Sequence, residues 1–170
     1  EKKAGFNPLS ASEIGSIKRS DLVESILQGG LWSLFRRLPF YDYPDPDSMP
    51  PAIIVSLDSR EPFQPRPETY LDARDDLLNY GIRILNKLCD RVYLTVTNNY
   101  EVSEKWKGLT THKVIGPYPA GDPGVLLYHI KKSSKENRAW TISGQNLLLL
   151  ADFLKDGHFP TERTIVAAGS

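Results

Sequence analysis

Ala52-Ile53-Ile54-Val55-Ser56-Leu57 is the stretch that decides the fold. Its nearly continuous run of apolar residues predicts a strand buried on both faces of a parallel sheet. Val92-Tyr93-Leu94-Thr95-Val96 predicts a second strand. Between the two, Pro67 opens a long predicted helix with one apolar face, formed by Leu71, Leu78, Ile82, Leu85 and Leu88. Because parallel strands need a crossover of this length, and such crossovers are almost always right-handed, the stretch predicts an α/β domain.

The second half of the chain continues the alternation of strands and helices. Lys113-Val114-Ile115 predicts a short third strand, and residues 126–130 are ambiguous between strand and helix. Ser143 caps a predicted last helix that ends at Gly157, and its apolar stripe is Leu147, Leu150, Ala151 and Leu154. Thr164-Ile165-Val166-Ala167-Ala168 predicts a final strand. The pattern favours a Rossmann-like layered α/β domain with a mainly parallel sheet.

Two short helices are predicted ahead of the first strand. Asp21 is placed to cap the first of them, with Glu24 positioned to reach back to the cap. Gly29-Gly30 then ends this helix. The second helix is predicted over Leu31 to Arg37.

The N-terminal part of the chain predicts a helical and proline-rich arm. Its first 20 residues are polar and small without a sustained period, which is typical of a linker. Residues 39–67 hold eight of the 13 prolines, and this excludes long helices there. We therefore expect residues 1–50 to form an arm with a helical hairpin and residues 51–170 to form the Rossmann-like domain. Since the chain opens with Glu1, we expect it to be part of a larger protein.

The amino-acid composition argues against several classes of partner and of binding site. The 21 basic and 21 acidic side chains balance, so nothing favours binding to a nucleic-acid backbone. Cys89 is the single cysteine, which excludes an intramolecular disulfide and a cysteine metal cluster. The longest apolar run, residues 147–151, is far shorter than the about 20 residues that span a bilayer. We expect no direct membrane span, and any membrane association to come through a partner.

The glycine-rich loop at residues 116–124 is the first candidate site. Gly116, Gly121 and Gly124 resemble the glycines of phosphate-cradling loops, whose backbone N–H groups face an anion. The loop matches neither common phosphate-binding motif, its three prolines remove donors, and Asp122 puts a carboxylate where an anion would sit. A rigid structural or interface loop is therefore the favoured interpretation over direct nucleotide binding.

The segment Asp58-Ser59-Arg60-Glu61 is the second candidate site. It directly follows the first predicted strand, and ligand crevices of open α/β sheets lie outside the carboxyl ends of strands. These side chains either line a functional or vestigial crevice for a quinone or another ligand, or they close a turn in which Arg60 pairs with a carboxylate. Both interpretations stay open at this point.

Histidine and tryptophan provide weaker signals. His112, His129 and His158 are scattered without ligand spacing, so no metal site is predicted, and no complete catalytic constellation is present. Trp32, Trp106 and Trp140 suit either a partner surface or, more commonly, a core.

Three ordered motifs carry a family resemblance. GLWSLFRRLPF at residues 30–40 resembles the signature GLW..FR.RPF of the A subunits of the sodium-translocating NADH:quinone reductases. GPYPAGDPG at residues 116–124 resembles their GP.PAG.PG loop, and IVAAGS at residues 165–170 resembles the strand that closes their Rossmann-like part. The resemblance runs from Leu22 to Ser170.

This resemblance implies a peripheral component of a membrane complex, at the cytoplasmic face of the bacterial inner membrane. The complex transfers electrons from NADH to quinone and exports sodium, using flavins and iron–sulfur centres that belong mainly to other subunits. It implies no cofactor bound by this part of the chain, and it implies as partners the other subunits, especially the membrane-embedded B subunit. A quinone contact is a further proposal made for the family.

Asp58 to Pro62 carries a second resemblance. It is similar to the acidic segment, ending in Glu-Pro, of the C subunit of RNF complexes and of the flavin-binding subunit of complex I. In those proteins the segment lies at a flavin or nucleotide crevice. This implies a flavin-, nucleotide- or quinone-binding domain as the alternative function.

Overall fold

A mostly parallel sheet carries the fold. The computed structural model describes residues 5–58, 61, 64–97 and 110–161 of the chain. Its strands are β1 (Arg36–Arg37), β2 (Ile53–Ser56), β3 (Val92–Thr97), β4 (Thr110–Val114) and β5 (Trp140–Ser143). Their order is β1-β5-β2-β3-β4, in which β1 pairs antiparallel with β5 and the other neighbours are parallel. The predicted α/β class with a mainly parallel sheet is therefore confirmed.

Helices connect these strands. They are α1 (Ala11–Ser16), α2 (Arg19–Gln28), α3 (Pro67–Leu71), α4 (Asp75–Leu88), α5 (Pro123–Ile130) and α6 (Gly144–Asp156), with 3₁₀ turns at Leu31–Leu34 and Ser134–Arg138. Pro67 occupies the first turn of α3, as predicted. Ser143 caps α6 by accepting a hydrogen bond from the Asn146 amide at 3.2 Å, and Gly157 ends that helix with φ 68°, both as predicted.

Two apolar clusters cover the two faces of the sheet. Ile53 and Val55 point into the larger cluster, which includes side chains of α2, α4 and α6. Ile54 points to the opposite face, into a smaller cluster with Leu126 and Leu127 of α5. We call these the α4/α6 face and the α5 face. Burial of β2 on both faces explains why its sequence is apolar almost throughout.

The sequence predicted one long helix after Pro67, and this prediction is wrong because the structure has two helices there. The structure has α3 and α4 as separate helices, and Ala73 between them takes a left-handed φ of 56°. The apolar spacing continues across the break because Leu71 and Leu78 both reach the larger cluster. The pattern of one face therefore survives an interruption of the backbone.

Two predictions for the N-terminal helices are also wrong. Helix α2 begins at Arg19 with Lys18 as its cap residue, so Asp21 lies in the first turn, where its charge still favours the helix dipole. The second predicted helix ends early, at Leu34, because Arg36–Arg37 pairs as β1 with the edge of β5. Phe35, between the turn and β1, is completely buried.

Strand β5 has no counterpart in the sequence prediction. Its four residues, Trp-Thr-Ile-Ser, are too short for a periodic signal, yet β5 lies inside the sheet between β1 and β2. The ambiguous residues 126–130 prove to be helical, as part of α5. The predicted strand over residues 164–168 lies outside the described residues.

The N-terminal residues pack against the last helix. The Leu9 amide donates to the Leu154 carbonyl at 2.7 Å, and the ring centres of Phe6 and Phe153 lie 5.0 Å apart. Ile14 of α1 is buried in the same cluster as the sheet residues. The predicted arm is not confirmed, and the predicted boundary at residue 50 stays a prediction.

Candidate functional site

The strand order places a switch point between β2 and β5. From β2 the chain crosses through α3 and α4 to β3 on one side, whereas β5 lies on the other side of β2. Ligand crevices of open α/β sheets form outside the carboxyl ends of strands at such a reversal. The ends of β2, β3, β4 and β5 are therefore where a site is sought.

A row of polar residues crosses the sheet at these ends. In the strand register Ser143 pairs with Ser56, Ser56 with Thr95, and Thr95 with His112. Paired residues on neighbouring strands point to the same face, and Ser56 follows Ile54 by two positions. Ser56, Thr95 and His112 therefore point toward the α5 face, the same face as Ile54.

Two atoms of this polar row lack hydrogen-bond partners. The Thr95 hydroxyl donates to the Val55 carbonyl at 3.3 Å, and Ser143 caps α6. The hydroxyl of Ser56, a residue only 5% exposed, and Nε2 of His112 are buried without a partner. An unpaired buried polar atom costs about 1–3 kcal/mol, so such atoms are uncommon in folded proteins.

The N-terminus of α5 is closed by the protein's own carboxylate. Asp122 Oδ1 accepts hydrogen bonds from the amides of Gly124 at 2.7 Å and Val125 at 3.2 Å. Asp122 Oδ2 accepts a hydrogen bond from the Tyr41 hydroxyl at 2.8 Å. The donors that would hold a phosphate at a helix N-terminus are thus already used, and a second anion there would be repelled. The loop at 116–124 does not fit a phosphate.

The glycines of this loop have local structural roles. Gly116 has φ 132°, a backbone conformation that favours glycine. A Cβ on Gly124 would lie 3.0 Å from Asp122 Oδ1, so glycine leaves room for the cap to close. Gly121 is buried within the turn before α5.

Tyr41 connects the two segments that the sequence singled out. Burial and the hydrogen bond to Asp122 raise the pKa of the Tyr41 phenol well above its usual range. The charge of Glu61 raises this pKa further, so Glu61 lies near the same phenol. Asp58 is half-buried at the end of β2, whereas Ser59 and Arg60 lie outside the described residues.

On the α4/α6 face, the residues at the switch point are closely packed. The Tyr70 hydroxyl donates to the Leu57 carbonyl at 2.5 Å. A Cβ on Gly144 would lie 2.6 Å from the Tyr70 hydroxyl and 2.7 Å from a Leu57 methyl group. Among the described residues around the switch point, the unpaired polar atoms therefore lie on the α5 face.

Sequence reasoning missed Tyr41, Ser56 and His112 as parts of one region. Each lies on a different segment, and only the strand register and the Asp122 contact bring them to one face. The polar residues that interrupt apolar strands were the available signal for Ser56 and Thr95. No comparable signal exists for Tyr41.

Replacing Asp122 separates its two roles. Asp122→Ala should lower the free energy of unfolding by about 1 kcal/mol, because α5 loses its cap. It should also lower the pKa of Tyr41, because a hydrogen-bonding carboxylate disappears while the burial remains. Denaturant unfolding and the phenolate absorbance, measured against Tyr41→Phe, report the two effects.

Asp122→Asn is the matched variant, since asparagine caps about as well as aspartate. It should keep the stability and still lower the Tyr41 pKa. An unchanged pKa in both variants would contradict the assigned contact.

Comparison with known proteins identifies the family. Residues 17–159 match the family described as NqrA second alpha/beta domain. The chain belongs to this family. The match covers every element from α2 to α6, so the polar row and the Asp122 cap are features of an NqrA second α/β domain.

Curated relatives agree with this assignment. The chain is 32% identical over 168 residues to the A subunit of the Na(+)-translocating NADH-quinone reductase of Rhodopirellula baltica strain SH1, covering 98% of this chain and 36% of the relative. It is 26% identical over 170 residues to the proteins of the same name from Pseudomonas aeruginosa strain UCBPP-PA14 and Vibrio anguillarum, covering 99% of this chain and 38% of each. The chain thus spans less than two fifths of these relatives.

Neither a membrane span nor a metal cluster is found in the described ranges. Within residues 5–58, 64–97 and 110–161, no helix is long and apolar enough to cross a membrane. In that same part of the chain, no three His, Cys, Asp or Glu side chains are grouped as metal ligands.

Proposed function

We propose that this chain is a structural and interaction domain within the A subunit of a sodium-translocating NADH:quinone reductase. The observation that carries the proposal is its similarity, over nearly its whole length, to proteins of that name. In this proposal the protein is peripheral, at the cytoplasmic face of the bacterial inner membrane. Other subunits hold the flavins and iron–sulfur centres that pass electrons from NADH to quinone.

The closed helix N-terminus supports a non-catalytic role. Helix N-termini that bind phosphate do so through free backbone donors. At α5 these donors are taken by Asp122, which in turn holds Tyr41. A scaffold whose helix terminus is sealed in this way suits docking better than nucleotide chemistry.

Association with the membrane-embedded B subunit tests this proposal. The full-length A subunit, which contains this chain, should be retained on detergent-solubilised, immobilised B subunit. Deletion of the domain should abolish the retention, while an unrelated α/β protein of similar size serves as the negative control. Equal retention of the full-length and domain-deleted forms would contradict the interaction role.

The unpaired polar atoms favour a second candidate function. Ser56 and His112 lie two strands apart, about 10 Å by the strand spacing, so a ligand with two separate polar groups on the α5 face would satisfy the Ser56 hydroxyl and Nε2 of His112. A flavin, nucleotide or quinone headgroup carries such groups. The acidic side chains Asp58 and Glu61 near this edge oppose a ligand that binds through phosphate.

Thermal-shift titration with FMN, NADH and a soluble quinone tests the ligand-binding candidate. A ligand at 100 times its dissociation constant should raise the free energy of unfolding by about 2.7 kcal/mol. Ser56→Ala should remove that shift, whereas Ser33→Ala, a change at an exposed serine, should leave it intact. The absence of a shift with all three compounds would exclude this candidate.

A further inference from the structure

The outer face of helix α5 carries no Asp, Glu, Lys or Arg. Leu126 and Leu127 of this helix are buried against the sheet, so Val125, Tyr128 and His129 lie on the opposite side. Tyr128 is 69% exposed, His129 is exposed and Val125 is half-buried. We call these three residues, Val125, Tyr128 and His129, the α5 outer face.

Helix α5 differs in this respect from the other described helices. Each of those carries at least one Asp, Glu, Lys or Arg, and the two longest, α4 and α6, carry four and three. A helix face in water is normally polar or charged, whereas a helix that is apolar all round is normally buried. The sequence of α5, Pro-Gly-Val-Leu-Leu-Tyr-His-Ile, is therefore typical of a helix covered on both sides, although the sheet covers only one of them.

The segment that leads into α5 extends this uncharged surface. Ile115 is 75% exposed and Tyr118 is 52% exposed. Within residues 115–130 the sequence has Asp122 as its single Asp, Glu, Lys or Arg, and this carboxylate is already bound to the helix amides and to the Tyr41 hydroxyl. Single exposed apolar side chains are ordinary, whereas several within one region are typical of a protein contact.

Two basic side chains, Lys131 and Lys132, follow the last turn of α5. Lys131 Nζ donates to Asn137 Oδ1 at 2.9 Å and lies 5.1 Å from the centre of the Tyr128 ring. The Tyr128 ring also meets the His129 ring edge-on, with centres 5.5 Å apart. These contacts restrain the Tyr128 ring while most of it stays exposed, so packing against it costs little ordering entropy. Such a contact depends on apolar area and shape, as in interface cores, which are poor in charge and rich in tyrosine.

We propose that the α5 outer face packs against another domain of the same polypeptide. The inference rests on the proposed function, because the chain spans only 36% to 38% of the A subunits to which it is similar. More than three fifths of such a subunit therefore remains to supply a neighbour. A neighbour joined by the chain has an effective concentration on the order of millimolar, so a small uncharged contact suffices to hold it. The occupying surface is itself apolar, since the α5 outer face offers no counter-ion for a buried charge.

Other occupants fit the α5 outer face less well. A separate, diffusing subunit is normally steered by complementary charges, and this face has none to steer it. Helices that bind a bilayer surface carry several lysines or arginines on their polar side, and α5 contains neither. A second copy of the domain would compete at its own concentration in solution, which is far below that of a tethered neighbour.

Chemical labelling of a cysteine placed on α5 tests the inference. His129→Cys is made in the full-length A subunit, without the other subunits, and its reaction with a bulky maleimide is followed by mass spectrometry of the α5 peptide. Because a packed neighbour blocks the reagent, the rate should be at least about tenfold lower than in the same protein unfolded in urea. The cysteine of this sequence, Cys89, is buried and lies in a different peptide.

Two further substitutions in the His129→Cys protein separate this contact from local protection. Tyr128→Asp places a charge in the contact, so it should release the neighbour and raise the rate about tenfold. Met49→Asp is the matched control, because Met49 is also 69% exposed but lies between β1 and β2. It should change the rate less than about twofold, as expected for an exposed position. Circular dichroism establishes that the fold of each variant is intact.

The outcomes separate this inference from the proposed function. Slow labelling that Tyr128→Asp accelerates supports the contact within the A subunit. Labelling as fast as in the unfolded protein, or slow labelling that Tyr128→Asp leaves unchanged, overturns it. Protection that falls on dilution, or that arises only in the assembled reductase, assigns the surface to a second copy or to another subunit and also overturns it. Retention on the B subunit is measured separately, so its loss with position 129 still protected overturns the interaction role alone.

Discussion

Trp140→Ala should lower the free energy of unfolding by about 3–5 kcal/mol, the cost of removing a large aromatic side chain from a core. Trp140 is 1% exposed at the start of β5. Its ring lies 5.5 Å from that of Trp32 and 6.0 Å from that of Phe35. The change would leave a cavity where β1, β2 and the Leu31–Leu34 turn meet. Since domains are stable by only about 5–15 kcal/mol, much of the total would be lost.

Urea unfolding monitored by circular dichroism measures this effect. Phe40→Ala is the control, because it also truncates an aromatic side chain but at a position 85% exposed. It should change the free energy of unfolding by no more than about 0.5 kcal/mol. Similar losses in the two variants would contradict the placement of Trp140 in the core.

Gly157→Ala should destabilise the domain by about 3 kcal/mol, from the two costs that follow. Gly157 ends α6 with φ 68°, where a side chain costs roughly 1–2 kcal/mol. Its added Cβ would also overlap the Phe6 carbonyl oxygen, a backbone atom that cannot rotate away. Relief of this overlap would break the 2.9 Å hydrogen bond from the Phe6 amide to the Gly157 carbonyl, which contributes about 1 kcal/mol.

Gly30→Ala isolates the backbone-conformation part of this effect, so that the steric part is the difference between the two variants. Gly30 has nearly the same backbone angle, φ 70°, but its added Cβ would meet no atom within 4 Å. It should therefore lose only the roughly 1–2 kcal/mol of the left-handed conformation. Guanidinium unfolding of both variants gives the comparison. Equal losses would mean that residues near Phe6 do not pack against the end of α6.

Local signals predicted the elements whose burial follows a regular period. The apolar run of β2 and the helical stripe of α4 identify themselves because each buries a long, regular face. The caps at Ser143 and Gly157 depend on neighbouring backbone groups alone, so they too can be read locally. The family resemblance rested on the same linear signals, and the comparisons confirm it.

Long-range pairing accounts for the errors. Arg36–Arg37 is extended because it pairs with β5 as a neighbouring strand. β5 is itself extended because it pairs with β2. Both stretches are too short for their side chains to show a period. The interruption at Ala73 is hidden for a related reason, since the residues on both sides keep contact with one cluster.

Some features of the candidate site were likewise visible in the sequence, and others depended on the tertiary structure. The position of Asp58 after β2 and the likeness of the 116–124 loop to a phosphate cradle were visible in the sequence, as was the carboxylate of Asp122 within it. Asp122 seals α5 through local contacts with Gly124 and Val125, whereas its contact with Tyr41 joins residues 81 positions apart. The row from Ser143 to His112 likewise exists only through the register of four strands.

For this protein, the stretch at 52–57 and the helical pattern after it determined an α/β domain from sequence alone. The physical reason is that a doubly buried strand and an amphipathic helix each reveal their burial through residues close in the chain. Only the tertiary structure decided where β5 inserts and which polar atoms stay unpaired. Those features depend on contacts between distant segments, and no local period encodes them.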